Sequence, residues 1–243
     1  MSGDVGKNTM RNRRPATRGS SMVEFTMLIP IWVPLLLGTM WLGSSMVRGQ
    51  QINQMARDLA SMYSRGIDFA PAGGTASSAM LSQITAQLGT LTASGNGVVI
   101  FSRLTYVGKN VCIAAGFVNG DGSANTGACP NYGKFVFTQR YTQGNTSLFS
   151  SNYGDPNPAD VVSTQDYRIY ESYEPNPSQT YVSDTADVST NFTNWQVLPA
   201  PLEQTPNTDG YQSGEPIYVV EVFFQSSALA RYTSGGDYAY AIF

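Results

Sequence analysis

The stretch Arg18-Gly19-Ser20-Ser21-Met22-Val23-Glu24-Phe25 and the apolar run over residues 26–47 that follows it decide how the rest of this chain is read. Basic residues stand before it, a single acid, Glu24, lies near its start, and the next charge is Arg48. An uncharged helical run of about twenty residues, rising about 1.5 Å per residue, crosses about 30 Å of hydrocarbon. A carboxylate at the mouth of such a run is costly and demands an explanation, either a function or snorkelling at the cytoplasmic interface. Everything after residue 47 reads as cargo on this segment.

Only 13% of the residues are charged, about half the usual share of roughly a quarter. Gly, Pro, Asn, Ser, Thr and Tyr take their place, the composition of a loop-rich β structure. The net charge is −3 and no basic stripe lies beyond the N-terminus, which argues against a nucleic-acid partner. Lys7, Arg11, Arg13, Arg14 and Arg18 are opposed only by Asp4; without residues 1–19, nine basic and sixteen acidic residues remain, a net charge of −7. The positive-inside rule therefore places residues 1–19 in the cytoplasm and the chain from Arg48 on the far side of the membrane. Leu42-Gly43-Ser44-Ser45 is a poor signal-peptidase site and the apolar run is too long for an ordinary signal peptide, so a retained single-pass anchor is expected.

Pro30 and Pro34 lie inside the span and predict a kink or a melted turn there. Thr39 and Gly43 offer a small-xxx-small step for a second helix. Beyond the span, Ile52, Met55, Ala56, Leu59, Ala60 and Tyr63 recur at helical spacing, with Gln50, Gln54, Arg57, Asp58 and Ser61 on the other face. This amphipathic extension, residues 48–70, is expected to pack on the chain's own sheet and to end at Gly66 and Pro71.

The remaining residues, 71–243, read as a β-rich head. Met80, Leu81, Ile84 and Leu88 keep helical spacing, and residues 98–107 are the first strand, with 111–118 as its expected hairpin partner. Residues 135–141 alternate as a further strand, and residues 217–226 give the strongest one, apolar at Tyr218, Val220, Val222 and Phe224. Residues 144–216 are long, irregular and rich in Pro, Asn, Asp and Ser, with short strand candidates at 167–173 and around Tyr181. Arg103, Arg140 and Glu221 are charges inside strands, and Glu221 is expected to face one of the arginines. The fold class is thus α+β: a long N-terminal helix followed by a mainly antiparallel sheet with long loops.

Two cysteines, Cys112 and Cys129, lie on the outer side with sixteen residues between them. An oxidising compartment favours a disulfide over two unlinked thiols. Asn119, Asp121, Ser123 and Asn125 present oxygens in a turn-rich loop, but Ala124 and Pro130 stand where a calcium loop of the EF-hand type needs Gly and Glu, so no metal is expected there. With no histidine in the chain, Ser-His-Asp, Cys-His and His-based metal sites are excluded. Lys109 and Lys134 lie outside any Ser-x-x-Lys motif, and no phosphate loop or dinucleotide fingerprint occurs. The expectation is a protein with no catalytic residue and no cofactor.

The junction itself carries the sharpest signal. Gly19, then Ser20, then Glu24 as the fifth and Phe25 as the sixth residue after the cut resemble a type IV prepilin cleavage site behind a short basic leader. Glu24-Phe25 with Pro30 is similar to the TadE-like pseudopilins of tight-adherence (Flp, type IVc) pili, and the stretch Gly214-Glu-Pro-Ile-Tyr-Val-Val-Glu-Val-Phe-Phe224 is similar to a late strand of those proteins. The resemblance implies cleavage between Gly19 and Ser20, a new Ser20 amine, and Glu24 and Phe25 as pilus-assembly residues. The partners it implies are a prepilin peptidase, other pilins and pseudopilins, an inner-membrane assembly platform and membrane lipid. A signal-anchored adhesin, never processed as a pilin, is the alternative reading, and a secreted enzyme a weaker third.

Overall fold

The computed structural model describes residues 20–70, 74–161, 167–169, 181–189, 214–225 and 235–243. The chain divides into two compact units, residues 1–47 and 48–243. Helix α1, Ser20–Ser64, runs through both, with Pro30 and Pro34 inside it. Pro30 and Pro34 therefore do not melt α1. Each still lacks an N–H, so the carbonyls of Thr26 and Pro30, one turn apart, lose their helical donors. Four hydroxyls of the helix are turned back on it: Thr26 Oγ1 donates to the Met22 carbonyl, Thr39 to Leu36, Ser44 to Trp41 and Ser45 to Leu42. Such back-bonding removes their need for water.

In the second unit the helical stripe is buried. Ile52, Met55, Ala56, Leu59, Ala60 and Tyr63 are each at most 5% exposed and pack on Val99, Phe101, Val220, Val222 and Phe224 of the sheet. Burying a large apolar side chain is worth about 1.5–3 kcal/mol, so this seam supplies most of the hold between helix and sheet. Helix α1 stops in a Schellman turn, with Gly66 at φ +88°, its N–H on the Tyr63 carbonyl and the Ile67 N–H on Met62. Only Gly enters that left-handed conformation without strain.

Helix α2, Gly74–Thr85, places Leu81 in the same core. Four antiparallel strands follow: β1 (Gly97–Tyr106), β2 (Phe135–Gly144), β3 (Pro216–Gln225) and β4 (Gly236–Ile242), in the order β2-β1-β3-β4. The β1–β2 register shifts between Arg103 and Leu104; Thr138 is the extra residue, and its hydroxyl bonds the Arg103 carbonyl. This bulge moves Phe137 to the face away from α1, beside Leu104.

Three expectations change here. Residues 111–118 are not a strand: Lys109–Ala114 form a short helix, α3, because Val111, Cys112 and Ala115 turn one helical face to Val107, Val136 and Val182. The partner of β1 is instead β2. Around Tyr181 there is a turn and a 3-10 turn, Thr185–Asp187, which meets β2 through a bridge from Val188 to Val136 and through side-chain packing of Val182, not as a strand. Of the 167–173 candidate, Arg168 and Ile169 make isolated bridges to Gln139 and Val161, and residues 170–173 lie outside the described residues.

The sheet's second face is also covered. Leu104, Phe135, Phe137, Ile217 and Val219 are buried there under Tyr153 and Ile169, which come from the long region after β2. That region is a packed layer, at least over its described residues.

Candidate functional site

The prepilin-like junction falls at the start of α1. Ser20 is the first helical residue, and Gly19 lies outside the described residues. Four residues on, one helical turn and about 6 Å along the axis, Glu24 stands on the exposed surface with Phe25, Met22, Val23 and Met27 around it. From Met22 to Val47 every large apolar side chain is at least 40% exposed. The depression lined by Met22, Val23, Thr26 and Met27 lies along a single helix and is open to its surroundings. The helix is long and apolar enough to cross a membrane. An apolar surface of this length is stable only in lipid or against other helices.

Arg48 opens the second unit and is fixed there. Its Nη2 donates to the Leu88 carbonyl at 3.3 Å and the Gln225 carbonyl at 3.2 Å, while Nε lies 3.2 Å from the Asp237 carboxylate. One side chain thus joins α1, the turn after α2, the end of β3 and the start of β4. The sequence marks Arg48 as the first charge past the apolar run; that Asp237 answers it has no local signal.

A polar centre lies on the covered face of the sheet. Glu221, fully buried, accepts hydrogen bonds from Ser151 Oγ, from the Asn152 N–H at 2.9 Å and from Tyr238 Oη at 3.0 Å. Burial, then the nearby Glu221 charge, raises the Tyr238 phenol well above its usual range, so it remains a donor. Arg140 occupies the same face, since Ser102 is paired with both Arg140 and Val219. Its partners are Ser102 Oγ, the Gly154 carbonyl at 2.6 Å and Asp155 at 2.8 Å. Burial lowers the Arg140 pKa; the hydrogen bond and charge of Asp155, and after them the charge of Glu221, oppose that shift. Glu221 and Arg140 thus share one face of the sheet, and the Glu221 charge acts on Arg140, but no ion pair joins them among the described residues: the loop after β2 provides neutral donors for the acid and Asp155 for the base.

Cys112 and Cys129 are joined in a disulfide, with Cα atoms 5.9 Å apart. It is buried with Val107, Val136 and Val182 and closes the 113–128 loop. Within that loop Asp121 accepts from the Ser123 N–H and Oγ, and Asn119 Nδ2 donates to Ser123 Oγ and the Ala124 carbonyl. Asp121 Oδ1 and Ser123 Oγ are thus engaged within the loop itself.

Residues 19–61 match the model of the family described as TadE-like protein. The N-terminal segment is similar to TadE-like proteins. The match begins at the junction residue Gly19 and runs along α1 to Ser61, three residues before the helix ends; it includes nothing of the sheet. No curated protein and no solved structure matches the chain. The TadE-like segment thus contains Glu24, Phe25, both prolines, the exposed apolar surface and most of the stripe that packs on β1 and β3.

Two elements escaped the sequence reading. Strand β4 was legible as an alternation, with Ala239 and Ala241 buried toward α1 and Tyr240 exposed on the other side. The second, Asp160 with Asp184 and Asp187, is assembled from two segments of the long region and has no contiguous motif.

Proposed function

We propose that this protein is a pilin-like structural subunit of a tight-adherence pilus, held in the inner membrane by residues 20–47 of α1 and without catalytic activity of its own. The observation that carries this reading is the TadE-like match beginning at Gly19, immediately before the first residue of α1. In this reading residues 1–19 are a leader, residues 48–70 extend the helix, and residues 71–243 form the head on the outer side. A prepilin peptidase cuts between Gly19 and Ser20, where a residue without a side chain leaves the scissile backbone unhindered.

The chemistry of the cut supports an assembly role for Glu24. Cleavage creates an α-amine on Ser20, which titrates near 7.7–8.0 when unperturbed. Packing α1 among other helices would take both that amine and the Glu24 carboxylate out of water, at a cost of several kcal/mol each. Pairing the amine of one subunit with the Glu24 of its neighbour offsets that cost and sets the axial register. Phe25 and the apolar surface beyond it would then pack on other pilins, and on lipid before assembly.

N-terminal sequencing of the membrane-resident protein is the direct test. A chain starting at Ser20, together with uncut protein in a Gly19→Val variant, is expected. A mature chain that retains residues 1–19 would favour the signal-anchored adhesin instead.

A further inference from the structure

The long region after β2 carries a second polar assembly. The 3-10 turns Pro158–Asp160 and Thr185–Asp187 bring three carboxylates together, and one oxygen each from Asp160, Asp184 and Asp187 lies within 4.8 Å of the others. Asp160 is 1% exposed and Asp187 0%. Asp184 is satisfied: Oδ1 accepts from the Ala186 N–H at 2.7 Å and Oδ2 from Asn157 Nδ2 at 2.9 Å. Asp187 Oδ1 accepts from the Asn157 N–H at 2.9 Å. The other oxygens differ: Asp160 Oδ2 and Asp187 Oδ2 are buried and meet no hydrogen-bond donor among the described residues. No lysine or arginine forms an ion pair with any of the three among the described residues.

Three carboxylates so close, two of them buried, cannot all stay ionised without a counter-charge. Either a proton is shared among them or a cation sits between them. The geometry points to a binding site for one hard divalent cation, of the calcium type, held by Asp160, Asp184 and Asp187. Oxygens of one calcium shell, bonded at about 2.3–2.6 Å, span up to about 5 Å across the ion, and calcium accepts several carboxylates from irregular loops. Magnesium demands near-ideal octahedral geometry and is held through only one or two carboxylates.

The site would tie the covering layer together. Asn157 already links both turns, and Asn131, two residues from Cys129, donates to the carbonyls of Tyr181 at 2.8 Å and Asp184 at 2.6 Å. A cation there cross-links residues 157–160 to 184–187 beside the disulfide and presses both onto β2. This inference is independent of pilus assembly.

The test uses the full-length chain in detergent micelles, stripped with chelator and dialysed, and titrated calorimetrically with calcium chloride and separately with magnesium chloride. One calcium ion per chain is expected, with a dissociation constant on the order of 10⁻⁴–10⁻³ M, as in extracellular modules, and weaker binding of magnesium. Asp160→Asn and Asp187→Asn should each weaken calcium binding at least about tenfold, while Asp121→Asn, in the self-satisfied loop, should leave it unchanged. Thermal unfolding gives a second readout that does not need the variants to bind. In chelator Asp187→Asn should melt at or above the unsubstituted chain, because a repulsive charge is gone; with calcium the order should reverse. No binding and no thermal shift at 10 mM calcium, on the order of ten times the weakest expected constant, would leave only a shared proton and overturn the proposal. So would unchanged binding in Asp187→Asn, or magnesium binding as tight as calcium.

Discussion

The Arg48 guanidinium stands 3.2 Å from the Asp237 carboxylate, linking the second residue of β4 to the first residue of the head unit. The pair is partly exposed, and such pairs contribute about 0–1 kcal/mol. The two hydrogen bonds from Arg48 Nη2 to the carbonyls of Leu88 and Gln225 matter more, because those carbonyls have the guanidinium as donor in a part-buried site. Asp237→Asn should therefore cost under about 1 kcal/mol and Arg48→Ala about 1–2 kcal/mol. Arg48→Lys should recover little, since an ammonium lacks the planar fork that reaches three groups at once. Urea unfolding of the full-length chain in detergent, followed by near-ultraviolet dichroism, measures all three. Equal losses for Asp237→Asn and Arg48→Ala would mean that the ion pair dominates.

Glu221 gives the second prediction. Its three donors converge from Ser151, Asn152 and Tyr238, so truncation removes the fully buried acceptor that these part-buried donors share. Glu221→Ala should cost about 3–5 kcal/mol, as for removal of one member of a buried charged network. Glu221→Gln keeps one acceptor oxygen, and Ser151 can turn its hydroxyl to accept from the new amide, so about 1–2 kcal/mol is expected. The same urea titration separates the two. A Glu221→Ala loss below about 1 kcal/mol would show that water replaces the carboxylate and that the covering loop is loosely held.

What the sequence reveals of this fold follows the range of the forces involved. The stripe from Ile52 to Tyr63 is readable because one helix face meets one sheet face, and each buried position repeats within four residues. The alternation of β3 is readable for the same reason. The burial of Glu221 is not: in sequence it marks a polar face, and the cover comes from residues far along the chain, such as Ser151, 70 residues away. Helix α3 is not legible because Val111, Cys112 and Ile113 have strand-like side chains, while the packing of Cys112 and Ala115 against Val107 and Val136 decides the outcome. Of the candidate site, the junction and Glu24 are local in sequence, and the disulfide follows from compartment and count. The Asp160–Asp184–Asp187 cluster depends on two turns meeting across a long connection.

Reduction of the Cys112–Cys129 bond is the third prediction. It closes a sixteen-residue loop, for which the chain-entropy model gives about 3 kcal/mol. Alkylation of the unreduced, denatured protein followed by mass measurement should find no free thiol. Reduction should lower the unfolding free energy by about that amount and should first loosen the neighbouring Val107, Val136 and Val182 cluster. Hydrogen exchange at those three amides, faster than at Val99 or Val222 after reduction, checks the locality. Uniform acceleration across the sheet would mean that the bond acts on the whole head.

The last prediction separates assembly from anchoring, and it turns on Glu24. In a plain anchor, Glu24→Gln removes a charge from an apolar helix, so insertion should be unchanged or slightly better. In a pilin, the same change leaves the Ser20 amine of a neighbouring subunit without its counter-charge among packed helices. Removing one partner of a buried pair costs about 3–5 kcal/mol, enough to reduce incorporation by orders of magnitude. Arg18 and Gly19 are untouched, so the leader should still be cut. The head should be unaffected as well, because Glu24 belongs to the other compact unit, and urea unfolding of the variant should match the parent. The expected result is a processed, stable, membrane-resident subunit that is missing from sheared pili. Cleaved Glu24→Gln protein found in normal pili would remove Glu24 from the assembly mechanism, whereas uncleaved protein would place the residue in peptidase recognition instead.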